Sequence, residues 1–174
     1  MAFPVAHGLL GAAVFVLTAK SDKKLNLKLI ALAAFLGVLP DFDYLLNWLR
    51  IFGGGWHHGF SHSLLFALLA GFLAAFAVKD FKFRTISAFG LATASHGILD
   101  FFITESRGIA LFSPFTNHRF KLERFSPIDY QWMSESSVQI VLNILRICLI
   151  ELIIFCPLFL IVIYLKRHFY KIQT

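Results

Sequence analysis

The apolar run from Val138 to Leu165, VQIVLNILRICLIELIIFCPLFLIVIYL, constrains this chain more than any other feature. As a helix it rises about 42 Å, more than the ~30 Å hydrocarbon core of a bilayer, so it can cross with tilt. Pro157 falls inside it and is expected to kink it. Arg146 and Glu151 are costly in lipid and are expected to face the bundle or an interface. Four more apolar segments precede it, Phe3 to Ala19, Leu25 to Leu39, Ser63 to Val78 and Ile86 to Ile103, each bounded by charge or by Gly and Pro. Several reach only about 24 Å as helices, so either the bilayer thins around them or their ends sit below headgroup level. Charged residues make up 15% of the chain and hydrophobic ones 58%, against roughly 25% charged in a soluble domain. The expected fold is all-α, a polytopic membrane helical bundle with about five transmembrane helices, residues 1–174 forming a single integral membrane domain.

The cations orient this bundle. Lys20, Lys23, Lys24 and Lys28 fill the first connection, Lys79, Lys82 and Arg84 the third, and Lys166, Arg167 and Lys171 follow the last segment. The second connection and the stretch from Thr104 to Ser137 are mixed, with Asp41, Asp43, Glu105, Glu123, Asp129 and Glu135 offsetting their arginines. Basic loops stay cytoplasmic, which puts the N-terminus outside and the C-terminus in the cytoplasm. The net charge of +6 is explained by those loops, and no nucleic-acid partner is expected. Cys148 and Cys156 lie in one apolar run, where a small buried hydrophobe is the ordinary role, so neither a disulfide nor a cysteine zinc site is expected. The first residues, MAFPVAHGLLGAAVFVLTAK, lack the leading charge of a signal peptide and are expected to stay as a helix.

Charge alone sets this topology, and the remaining polar residues then fall on one side of it. His7 lies at the outer end of the first segment, and Asp41 and Asp43, in GVLPDFDYLL, at that of the second. His57, His58 and His62, in GGGWHHGFSHSLL, lie at the mouth of the third, with Ser63 as its N-cap, and His96 and Asp100, in ASHGILDFF, near the outer end of the fourth. His96 and Asp100, four apart, share a helix face. Singly these residues have plainer roles: His7 in packing, the aspartates at a helix end, and His57, His58 and His62 in an interfacial belt beside Trp56. Together their nitrogens and oxygens suit zinc, manganese or iron, and point to a metal site at the outer face.

The string His7, LPDFD, HHGFSHS, then HGILD with Thr104, Gly108 and SPF, resembles the YdjM-like family of inner-membrane, metal-dependent hydrolases of bacteria and archaea. The resemblance covers the first two-thirds of the chain and implies a multi-pass protein of the cytoplasmic (inner) membrane. The order and spacing are also similar to the zinc-dependent phospholipase C and single-strand nuclease superfamily, whose zinc ions cleave phosphodiesters. The resemblance gives the ligand roles to His7, Asp41 or Asp43, His57 or His62, His96 and Asp100. Where the family reads His-Arg-Gly this chain has His57-His58-Gly59, which puts His58 in place of a phosphate-binding arginine. The superfamily's later His-x-x-x-Glu pair is missing, since Glu123 follows His118 at the wrong spacing, so one or two ions are expected.

The expected function is metal-dependent hydrolysis of a phosphoester or phosphodiester at the outer membrane surface, with a phospholipid head group as candidate substrate and a metal-activated water as nucleophile. Asp41 or Asp43, whichever is not a ligand, is the candidate general base, His57 and His62 are the favoured ligands of their cluster, and His58 is expected to face substrate. Arg107, Arg119, Lys121 and Arg124 are candidates to hold phosphate. Two other readings remain open, a non-catalytic metal-binding membrane scaffold or regulator and a metal transporter. Transport is disfavoured because no polar residues continue to the cytoplasmic side.

Overall fold

A computed structural model of the chain describes residues 3–19, 26–44, 49, 57–103, 108–122 and 136–173. Their helices are α1 (Pro4–Thr18), α2 (Leu27–Val38), α3 (Leu64–Ala77), α4 (Phe83–Ile103) and α5 (Ser137–Gln173). These coincide with the five apolar segments. Pro4 starts α1 with its φ already helical. Asn26 caps α2 by accepting from the Lys28 amide at 3.0 Å, and Ser63 caps α3 by accepting from the Phe66 amide at 3.1 Å, the role expected of it. Among the described residues there is no strand, only an isolated bridge between Ile109 and Phe120. By length and composition α4 and the Ser137–Phe169 part of α5 can cross a membrane, while α1 and α3 are shorter apolar helices. Crossing length thus belongs to two helices rather than to the expected five.

Helix α1 is the hub, packed antiparallel to α2 and α4, with α5 along its outer side. The core uses small residues, Ala12, Ala33, Ala70, Ala74, Ala88 and Ala92, around the stacked rings of Phe15 and Phe89. Lipid tails are as apolar as leucine, so in a membrane the close approach of small side chains and polar ties hold helices together, rather than removal of apolar surface from water. This order brings the start of α1, the end of α2, the start of α3 and the end of α4 to one end of the bundle.

Both termini of α1 are tied to other helices. Glu151 of α5 accepts from the amides of Phe3 at 2.6 Å and Ala6 at 3.0 Å. At the far end Lys166 of α5 donates to the carbonyls of Leu17 and Ala19 at 3.1 and 2.9 Å, and Arg84 of α4 donates to those of Thr18 and Ala19 at 3.0 and 3.3 Å. The anion sits at the positive end of the helix dipole and the cations at the negative end. The matched order also makes α5 parallel to α1. Glu151 therefore faces the bundle, whereas Arg146 is exposed. The long helix runs unbroken through Pro157.

Candidate metal centre

Local chain chemistry carries each polar group to the shared end. Pro40 closes α2 into a tight 3₁₀ turn, Leu39–Phe42, which delivers Asp41 and, at its cap, Asp43. A second such turn, Phe60–His62, leaves His62 just before the cap of α3. This turn lies against α4 only because Gly97 has no side chain, since a Cβ there would come within 2.9 Å of the His62 carbonyl oxygen. Gly37 does the same between α1 and α2, where a Cβ would collide with the His7 carbonyl.

Asp100 stands at the centre, fully buried. Its Oδ1 lies 3.4 Å from His7 Nε2, and its Oδ2 lies 3.5 Å from both His58 Nε2 and His62 Nε2 and 3.4 Å from His96 Nε2. Asp41 Oδ1 is 3.3 Å from His96 Nε2 and 3.8 Å from His62 Nε2. The His7 ring stacks on that of His96, with centroids 3.7 Å apart. Ligand atoms of Asp41, His62, His96 and Asp100 all lie within 4.8 Å of one another, and so do those of His57, His58 and His62.

Two observations test whether a metal fits. Both oxygens of Asp100, Asp41 Oδ1, both ring nitrogens of His7 and His57 Nε2 are buried without a hydrogen bond. Each such group costs about 1–3 kcal/mol, more when charged, so their convergence calls for a common cationic partner. The far ring nitrogens of His96 and His57, in contrast, are well held. His96 Nδ1 donates to the Gly37 carbonyl at 2.7 Å, and His57 Nδ1 donates to Asp43 Oδ1 at 2.7 Å. Such outer bonds fix the tautomer and aim the other nitrogen at an ion. The donor set fits a divalent zinc, manganese or iron ion.

Asp43 belongs to neither ligand group. It accepts from His57 Nδ1 and, at 2.6 Å, from Ser61 Oγ, and it lies 3.4 Å from His62 Nδ1, so it orients two imidazoles. His58 takes a left-handed backbone, φ +59°, which costs a non-glycine residue about 1 kcal/mol or more. Its carbonyl is held by the Ala110 amide at 3.0 Å and by Arg119 Nη1 at 3.4 Å. Arg119 also donates to the Gly108 carbonyl at 3.0 Å, so it fastens the 108–122 segment to the cluster. Lys121 is exposed, while Arg107 and Arg124 lie outside the described residues. Tyr44 is a member that sequence reading missed, its half-exposed ring 3.7 Å from that of His57. Its one signal is its place directly after Asp43.

The family model described as YdjM inner membrane protein matches residues 1–170. The chain belongs to the YdjM inner membrane protein family. No curated protein and no solved structure matches it. The YdjM match runs past the motif region into α5, and an inner-membrane setting agrees with the two helices of crossing length.

Electrostatics in this YdjM-family cluster also favour a cation. Burial works to raise the pKa of Asp41 and Asp43, yet His62 and His96 around the first, and His57, His62 and Ser61 around the second, hold both well below the usual carboxylate range. Burial pushes His58 down to about 3, helped by the neighbouring His57 and His62. His62 goes the other way. Burial acts to lower it, but Asp100, Asp41 and Asp43 outweigh burial and raise it to about 10. A ring facing three carboxylates thus holds a proton at a place where a divalent ion would supply more positive charge.

Proposed function

We propose that this YdjM-family chain is a membrane-embedded, metal-dependent hydrolase of a phosphoester or phosphodiester, with a membrane phospholipid as substrate. The observation that carries the proposal is the ring of Asp41, His62, His96 and Asp100 donor atoms within 4.8 Å of one another, adjoining a second group that shares His62. Bound there, one or two zinc ions would supply Lewis acidity, lowering the pKa of water and offsetting charge on phosphate. The chain's own groups do the rest. Asp43, the one of the three carboxylates that belongs to neither ligand group, is the one left to serve as general base for the attacking water, while Asp41, the most exposed of them at 13% against 4% and 0%, helps to hold the ion on the open side of the cluster. His58, neutral at physiological pH, is held by the 108–122 segment against the same space and contacts the phosphate.

The membrane frame supports a lipid substrate. Arg146 precedes Lys166 by a helical rise of about 30 Å, the thickness of the hydrocarbon core. With α5 crossing from the outside to the cytoplasm, these cations sit at the two boundaries. The cluster at the start of α1, level with Glu151, then lies about 8 Å below the outer one, within reach of head groups where short helices thin the bilayer. The test is release of phosphate or head group from phospholipid vesicles by purified protein, with and without added metal. An Asp100→Ala variant that keeps full activity would sink the proposal.

One observation favours a second reading, a non-catalytic metal-binding membrane scaffold: four side chains can close a tetrahedral shell around one ion. Adding inorganic phosphate to cobalt-loaded protein separates the two. A changed visible spectrum reveals an open coordination position, and an unchanged one favours the scaffold.

A further inference from the structure

Helix α5 brings one carboxylate to the level of the cluster, Glu151, and the hydrolytic mechanism does not use it. The side chain is buried, and both oxygens are spent on the first turn of α1, Oε1 on the Phe3 amide and Oε2 on the Ala6 amide. The first amides of any helix lack intrahelical acceptors. In α1 that deficit is acute, because Phe3 at the N-cap offers no side-chain bond and the first turn holds no acid. Glu151 thus supplies, from a helix far along the chain, the cap and the negative charge that the sequence of α1 lacks.

The residue after Ala6 is His7. Its own amide makes only a long bond, 3.4 Å, to the Phe3 carbonyl, so the helix itself holds this turn weakly. His7 must nevertheless stack on His96 and put Nε2 3.4 Å from Asp100 Oδ1. We infer that Glu151 is a positioning residue of the metal centre: by clasping the first turn of α1 it fixes His7 against Asp100 and His96, without itself touching the ion. The inference rests on the metal reading of the cluster. Docking of α5 is not the whole of its role, because Lys166 joins the same two helices at the opposite end.

The experiment compares full-length wild-type, Glu151→Gln and Lys166→Gln proteins in detergent, titrated with cobalt(II) alone and followed by visible absorption. The expected result is that Glu151→Gln weakens cobalt binding about tenfold or more, as loss of an outer-shell partner does, and shifts the absorption bands. Lys166→Gln, which loosens the same helix pair, leaves both unchanged. Should Glu151→Gln not fold, Glu151→Asp takes its place, keeping the charge but withdrawing it by one methylene. A folded Glu151 variant with wild-type affinity and bands overturns the inference, as does equal weakening in Lys166→Gln, or failure of both Glu151→Gln and Glu151→Asp to fold. Absence of cobalt binding in the wild type instead strikes the metal reading itself.

Discussion

The Nε2 atoms of His62 and His96 face each other at 3.1 Å, delivered by a turn and a helix. The Gly37 carbonyl takes the Nδ1 proton of His96, so its Nε2 points a lone pair at its neighbour. Asp41 and Asp100 close the same space with oxygens that make no hydrogen bond. An N–H on His62 satisfies the two nitrogens, but the two carboxylates in the same space repel each other unless a cation lies among them. A proton offsets one negative charge, whereas a divalent ion offsets both carboxylates and engages both rings.

Purified protein is therefore expected to carry metal, measured by elemental analysis. His96→Ala and Asp100→Asn should each lower the metal content by at least one ion per chain. Wild-type protein that is metal-free after metal-replete expression would remove the basis for the site.

Asp43→Asn should behave differently. It leaves every member of the two ligand groups in place but weakens the hold on His57, Ser61 and His62. Metal affinity should fall roughly 10–100-fold rather than vanish, the usual cost of losing an outer-shell carboxylate. Loss of all binding in a competition titration would mean that Asp43 is itself a ligand.

Gly97→Ala tests the approach of the turn to α4. The added methyl must push the His62 carbonyl away from a 2.9 Å encounter, at a cost of about 1–3 kcal/mol for overpacking. The expected outcome is a lower melting temperature with a larger drop in metal affinity than Gly90→Ala gives, since a Cβ at Gly90 meets only ordinary contacts.

Metal affinity should rise with pH. His62 is faced by Asp41, Asp43, Ser61, His57, His58, His96 and Asp100, and in the metal-free chain its pKa is raised from 6.5 to about 10. The proton's stabilising effect is complete below 6.5 and is lost as pH rises through about 10. Between these limits a metal displaces that proton, and affinity gains about tenfold per unit. A flat titration series across this range would show that His62 keeps its proton or is not a ligand.

Much of the fold is legible in the sequence because apolar length and cation placement are local signals. Phe3 to Ala19 becomes Pro4–Thr18, and Leu25 to Leu39 becomes Leu27–Val38. The convergence of His7, Asp41, His62, His96 and Asp100 follows from the alternating direction of successive segments, which brings these ends together. The division of labour between Asp41 and Asp43 does not follow, because two positions along a 3₁₀ turn point in very different directions. His58 in a left-handed backbone and Glu151 on the first turn of α1 are also invisible, the first set by bonds from Ala110 and Arg119, the second by a partner 148 residues away. Arg119 shows the same limit: sequence gives its charge but not the His58 and Gly108 carbonyls that its Nη1 holds.

Glu151 and Lys166 on α5 are spaced to match the length of α1, and Arg84 doubles the lower fastening. Together they make α5 a splint for the shorter helix. Sliding α1 along its axis would break the bonds that Glu151, Lys166 and Arg84 make to its backbone, so His7 keeps a fixed height above the Arg84–Lys166 level. One residue inserted between Glu151 and Lys166 would turn one fastening about 100° away from its carbonyls or amides. The stretch between them is thus a measured distance rather than a tolerant greasy spacer.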